Sequence, residues 1–228
     1  MEFRQYSEVL DAQAVPASQI LAAVKGCEFV VQEKVRGAPL SIWVDEKLNV
    51  LCANKSRFLE EEEGYFHWKF VRTIFAPRIK KIVTRIGCKE LVIYGEIFGG
   101  TYPHPDVQQD PQAISLNRGV YYCQQNWWYP FDILIDGNWQ PQWYIYDLFD
   151  EIEANPYAFE LTSGSLKRCL SFDYNSHLSE IHEVFGLPRI TDNGSAGVVI
   201  RPREPQWLSD GRRVLLKRER EYGRTRKA

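Results

Sequence analysis

Glu33-Lys34-Val35-Arg36-Gly37 follows the apolar run Phe29-Val30-Val31 and precedes Leu40-Ser41-Ile42-Trp43-Val44. The pattern reads strand, tight glycine turn, strand, with one lysine at the edge of the first strand. An amine on a partly buried strand loses its proton when desolvation and nearby cations disfavour the ammonium. The free amine then attacks an electrophile such as the α-phosphorus of a nucleotide. Lys34 is therefore the candidate nucleophile. K-x-x-G alone is a weak signal, because a surface lysine before a turn glycine is the commoner arrangement. The rest of the chain decides its weight.

Outward from this stretch, the pattern predicts strands at about 28–35, 40–45 and 48–53, the last two joined by Asp45-Glu46-Lys47. Lys55 and Arg57 close the third strand, facing either a phosphate or solvent. Phe66, Phe70, Ile74, Ile79, Ile82, Val83 and Ile86 recur at helical spacing across Pro77, which predicts a kinked helix or two short ones over a sheet. Leu91 to Gly100 reads as a buried strand with a single carboxylate, Glu96. A buried carboxylate needs a partner: a ribose hydroxyl, a cation, a metal, or an ion pair within the fold. Tyr129 to Ile135 is another strand, its tyrosine either stacking on a base or packing in the core. A helix is expected at about 146–155 and a short one at about 176–186, with His177 and His182 as structural residues. The last third supplies the strand Ala196 to Pro202, a turn at Ser209-Asp210-Gly211, and the basic strand-like segment Arg213 to Lys217.

With 228 residues and no Pro/Gly/Ser-rich linker, the chain is expected to form one domain spanning 1–228. Its 44% hydrophobic and 14% aromatic content excludes the disordered class. No apolar run reaches membrane-spanning length and no signal peptide opens the chain, so a cytoplasmic, non-secreted protein is expected. The five cysteines are odd in number and lack a C-x-x-C pair, which points to reduced thiols packed as small apolar groups. The net charge of -2 hides an asymmetry: from Arg201 to Ala228 there are ten Lys/Arg against four Asp/Glu. This run, with Arg212, Arg213, Arg218 and Arg220, is expected to form a phosphate-facing patch.

The order of K-x-x-G, a strand with G-E, an aromatic before F-D, G-V-V-I-R-P and then L-L-K resembles motifs I, III, IIIa, IV and V of the covalent nucleotidyltransferases. More narrowly, the span Gly197 to Lys217 and the opening Arg4-Gln5-Tyr6-Ser7 are similar to the phage-type RNA ligase 2 family of ATP-dependent polynucleotide ligases. The likeness covers nearly the whole chain and corresponds to that family's adenylyltransferase domain. It implies an α+β fold, two antiparallel sheets with flanking helices, ATP-grasp-like, with the nucleotide in the cleft between them. It also implies ATP-dependent RNA ligation by a monomer through an AMP adduct on Lys34, with Mg²⁺ or Mn²⁺ as cofactor and 5′-phosphate and 3′-hydroxyl RNA ends, in duplex or nicked form, as partners. By position, Glu33 would lie beside adenine, with Gly37 and Lys55 in the same nucleotide site. Glu96 would bind the ribose or the metal, and Tyr129 would stack on the base. Arg201 and Lys217 would hold phosphates, Lys217 with a catalytic part, and Arg212, Arg213, Arg218 and Arg220 would face RNA.

The departures concern charge. The acid that opens motif IV is replaced by Ala196, the second motif V lysine by Glu219, and an expected asparagine by Pro39; Lys55 stands where arginine is more usual. Ala196 reads either as a single acid-to-alanine change in an intact motif or as part of a wider divergence of the metal arrangement, which Pro39 and Glu219 favour. The sequence ends eleven residues after Lys217, so no carboxy-terminal accessory domain is expected. Two alternatives remain open: a GTP-using mRNA capping guanylyltransferase, and a catalytically inactive nucleotide- or RNA-binding relative.

Overall fold

The two apolar runs flanking Lys34 become strands of two different sheets. In the computed structural model, which describes residues 1–24, 26–116 and 119–220, the chain opens with β1 (Leu10–Asp11), α1 (Ala17–Ala23), β2 (Phe29–Glu33), β3 (Ala38–Asp45) and β4 (Val50–Ala53). It continues through α2 (Trp68–Ile86), β5 (Glu90–Gly99), β6 (Asn126–Ile135), β7 (Asn138–Trp139) and α3 (Gln142–Glu151). The last third contains β8 (Glu160–Gly164), α4 (Leu166–Leu170), α5 (Ile181–Val184), β9 (Gly197–Pro202) and β10 (Leu216–Glu219). One sheet has the order β1-β10-β9-β2-β8 and the other β4-β3-β5-β6-β7. The pairings are antiparallel except that β1 lies parallel to β10. The expected α+β architecture of two sheets with flanking helices is the one observed.

The expected tight turn at Gly37 is instead a crossing. β2 pairs with β8 and β9, while β3 pairs with β4 and β5, so Lys34 to Gly37 carries the chain from one sheet to the other. Gly37 is required by proximity, since a Cβ there would stand 2.0 Å from the carbonyl oxygen of Ile97.

Period-two alternation then sorts side chains to opposite faces. Leu40, Ile42 and Val44 of β3 join Leu91, Ile93 and Ile97 of β5 beneath Val71, Phe75, Ile79 and Ile82 of α2. Trp43 and Tyr94 point to the other face, where Phe3, Tyr6 and Trp139 pack on them. Pro77 does not divide α2, which is continuous through it. One backbone hydrogen bond is lost there, but the apolar face extends unbroken on both sides and holds the helix against the sheet. Phe66 lies outside the helix, with a positive φ of 43°. The other sheet has its own core, built from Phe29, Val31, Val198, Ile200 and Leu216 against Ile20 of α1 and Leu166 and Cys169 of α4. The expected cysteine chemistry holds: all five thiols are free and only Cys27 is not buried. Helix α3 begins earlier than the sequence suggests, and α5 is a single turn, with Leu178 in a β-bridge to Gly194 instead of on the helix.

The two sheets are joined by a buried ionic cluster. Asp132 of β6 is fully buried and accepts from Arg201 of β9 at 3.0 Å and from Arg213 at 2.6 Å. Tyr6 donates its hydroxyl to the same carboxylate at 2.8 Å, and Arg213 also lies over the Trp139 ring. Burial alone would raise the Asp132 carboxyl, but the two guanidinium charges outweigh it and hold the group below the usual carboxylate range. Burial raises the Tyr6 phenol, which stays a neutral donor.

Removing one partner from such a cluster leaves uncompensated buried charge, so Asp132→Ala is expected to lower unfolding free energy by about 3–5 kcal/mol in urea titration. Because the folded-state pKa of Asp132 is depressed, its contribution is complete above its unfolded value of about 3.9 and declines as pH falls through the folded one. The difference in stability between the wild-type protein and Asp132→Asn should therefore shrink on acidification below about pH 4. Gly37→Ala should destabilise by about 1–3 kcal/mol, because the clash is with backbone that has to move. Thermal unfolding measures it.

Candidate active site

Gln32 and Lys34 emerge from β2 on the side opposite Phe29 and Val31, into a cavity of about 140 Å³ whose walls include Tyr6, Val35, Tyr129, Phe131 and Val199. Lys34 and Glu96 also line a wider groove of about 680 Å³, which adds Lys55, Lys217 and Glu219. A third recess of about 290 Å³ is lined by Lys34, Val35, Arg36, Gly37, Glu96 and Glu219. An apolar, aromatic-walled slot thus meets a charged groove at one lysine. Such a site suits a ligand with a flat apolar part and an anionic part.

Lys34 is fixed by its backbone, whose N–H donates to the Gly197 carbonyl at 3.0 Å, and its side chain is only 23% exposed. Its ammonium lies 3.2 Å from the Glu219 carboxylate, whose second oxygen is 3.0 Å from the Lys217 ammonium. Burial opposes ionisation of Glu219, yet the hydrogen bond from Lys217 and the charge of Lys34 bring its carboxyl below the usual range. Glu33 reaches the cavity wall, but its buried carboxylate faces His177 at 3.7 Å. His177, read from sequence as purely structural, therefore sits behind Lys34. No spacing signal could reveal this, because 144 positions separate it from Glu33 and only the fold closes that distance. Tyr129 is buried and donates its hydroxyl to the Glu33 carbonyl at 3.2 Å. Burial, followed by the charge of Glu33, raises its phenol, so it remains a donor with its ring in the cavity wall. Glu96 lies half-buried beside Lys34, and Lys55 is exposed on the groove.

Several residues expected to touch phosphate or RNA are engaged within the fold. Arg201 is 3% exposed, and its guanidinium donates to Asp132 and the Phe131 carbonyl, while the residue also lines the cavity. Arg213 is buried on the same carboxylate and cannot face RNA. Arg218 donates to the carbonyls of Leu170 and Phe172 and stacks over Tyr174. Arg220 donates to the Asn175 carbonyl. Arg212 is exposed but bound to its neighbour Asp210. The basic run from Arg201 is thus largely structural as far as Arg220, and its remainder lies outside the described residues. Tyr6, Phe131 and Val199 line the cavity without having been assigned a role from sequence; the Arg4-Gln5-Tyr6-Ser7 likeness was the one signal pointing to the first.

Ala196 is fully buried in an apolar cluster with Val35, Phe98 and Tyr129, and offers no donor to a metal. Among the described residues no group of three or more His, Cys, Asp or Glu is assembled. Magnesium accompanying a polyphosphate needs only one or two protein carboxylates, because phosphate oxygens and water complete its shell. Glu96, at the junction of cavity and groove, fits that smaller demand.

The chain matches the RNA ligase family over residues 27–218. It is 23% identical to the mitochondrial RNA-editing ligase 2 of Trypanosoma brucei brucei, over 87% of this chain and 55% of the relative. It is 25% identical to RNA-editing ligase 1 of the same organism, over 88% of this chain and 50% of the relative. The chain spans about half the length of these relatives. The solved structure of Naegleria gruberi RNA ligase with PPi superposes with a TM-score of 0.61 at 14% identity, covering 95% of this chain and 56% of that one. A mutant of that ligase with AMP and Mn gives 0.59 at 15%, with the same coverage of both chains. The match begins just before β2 and ends within β10, spanning Lys34, Glu96, Tyr129 and Lys217, and by it the chain belongs to the RNA ligase family.

Proposed function

We propose that this chain carries the nucleotidyl-transfer chemistry of an ATP-dependent RNA ligase, of the phage-type RNA ligase 2 kind, as a single monomeric adenylyltransferase domain. The observation that carries the reading is the position of Lys34, whose ammonium stands where the aromatic slot opens into the charged groove. The slot takes the adenine, with the Tyr129 ring in its wall, and Glu96 takes the ribose. Lys217, Lys55 and Arg36 offer cationic surroundings for the phosphates. Lys34, once deprotonated, attacks the α-phosphorus: an N–P bond forms and the bond to the pyrophosphate oxygen breaks. AMP then passes to a 5′-phosphate RNA end, and a 3′-hydroxyl displaces it to join the strands. Magnesium or manganese, held through Glu96 and the substrate phosphates, would supply charge neutralisation at the phosphate oxygens. The protein's part is in-line positioning and exclusion of water from the slot.

The relatives named as RNA-editing ligases and the manganese-containing Naegleria structures support this reading. No helix among the described residues is long and apolar enough to cross a membrane. The free cysteines favour a reducing compartment, and since the trypanosome relatives are mitochondrial by name, that proposal extends beyond the cytoplasm to the organelle. Ala196 and Glu219 favour a second reading, in which the site binds nucleotide without covalent chemistry.

Incubation with α-labelled ATP or GTP and magnesium or manganese, followed by denaturing electrophoresis, separates these readings. A band is expected with ATP and not GTP, and Lys34→Ala should abolish it, a loss of at least a thousandfold for removal of a nucleophile. Silence with both nucleotides that persists in Ala196→Glu would leave the binding-only reading.

A further inference from the structure

Among the charged groups around Lys34, the Glu219 carboxylate has no part in the chemistry just described. Glu219 ends β10 opposite Gly197 of β9. The strands close tightly there, since a Cβ on Gly197 would come within 2.1 Å of the Arg218 carbonyl oxygen. The position of the Glu219 side chain is therefore set by the sheet. Its two oxygens take different partners, Lys34 at 3.2 Å and Lys217 at 3.0 Å. All three side chains are 23–38% exposed and line one groove, open to an incoming ligand.

A carboxylate and a phosphate are both oxyanions, and they compete for the same ammonium protons. Two lysines alone would present two positive charges to a polyphosphate, and Glu219 cancels one of them. A ligand that engages both ammonium groups either displaces this carboxylate or binds against its repulsion, and a ligand of low charge has less electrostatic gain to offset that cost. We infer that Glu219 is a specificity-determining counter-charge, a built-in competitor that occupies Lys34 and Lys217 in the resting protein and sets the charge an anion needs to take its place. This deepens the proposed function, because it rests on the groove receiving a nucleotide's polyphosphate. The site then discriminates polyphosphates from singly phosphorylated ligands, at the expense of affinity for both.

The test is calorimetric titration of the whole chain with inorganic tripolyphosphate and, separately, inorganic phosphate, without divalent metal. It compares wild type, Glu219→Gln and Glu219→Asp, with thermal unfolding confirming that each is folded. Glu219→Gln should bind tripolyphosphate about three- to tenfold more tightly, the range for removing one partly exposed counter-charge from two cations. It should show a steeper dependence on salt and detectable binding of inorganic phosphate, while Glu219→Asp stays close to wild type. In labelled-ATP assays the same substitution should lower KM, an effect that loss of a merely structural contact does not produce. Equal or weaker tripolyphosphate binding by Glu219→Gln would overturn the inference. So would weakening seen only with magnesium present, which would make Glu219 a metal ligand. If binding follows the expected order while no nucleotide forms an adduct, the counter-charge stands and the ligase reading fails. If adducts form while tripolyphosphate affinity ignores residue 219, the reverse holds.

Discussion

Asp132 is a carboxylate without solvent, and the relation of the two sheets depends on how its charge is met. It sits on β6 of one sheet, Arg201 on β9 of the other, Arg213 on the approach to β10, and Tyr6 on the amino-terminal segment. Three other parts of the chain converge on its two oxygens. A buried ion of this kind adds little net stability compared with apolar packing, but it does not tolerate a missing partner. Misplacing either sheet would strand a charge in an apolar interior, so the cluster selects one arrangement of the sheets. The slot that opens beside Lys34 inherits its width from that arrangement, because Tyr6, Phe131 and Arg201 belong both to the cluster and to its walls.

The crossing from Lys34 to Gly37 is the complementary constraint. One strand end belongs to each sheet, so Lys34 stands at the seam and its backbone is held by Gly197 of β9. Gly37 allows the chain to pass against the Ile97 carbonyl of β5, which places Glu96 of the same strand near the lysine. Lys34 and the carboxylate proposed to bind ribose or metal are thus brought together by a glycine's missing side chain. Behind them the buried Glu33 carboxylate faces His177 at 3.7 Å.

Charge around the lysine is distributed differently from what the run of basic residues suggests. Arg201 and Arg213 neutralise an internal carboxylate, Arg218 and Arg220 tie the last strand to loop carbonyls, and Lys217 is bound to Glu219. The groove is lined by Arg4, Lys34, Lys55 and Lys217 together with Glu8, Glu96 and Glu219, and Arg36 lines the adjoining recess. Ala196 is buried in the apolar cluster that holds Val35 and Tyr129. The electrostatics of the site are those of a few partly exposed lysines, which salt and competing anions can reach.

The sequence by itself determined the strands around Lys34, the strands carrying Glu96 and Tyr129, and the family likeness, because short-range periodicity and motif order are local properties of the chain. The family likeness also implied that Lys34, Glu96 and Lys217 share one site, and all three line the same groove. Only the tertiary structure decided which cations are available. An arginine in a basic run and an arginine on a buried aspartate look alike in sequence, and Arg213 is separated from Asp132 by 81 positions. Partner choice over such distances is set by sheet packing. The continuity of α2 through Pro77, the crossing at Gly37, the approach of His177 to Glu33 and the sharing of Glu219 between two lysines were decided at the same level. Each depends on which surfaces meet once the sheets are closed, and no local preference encodes it.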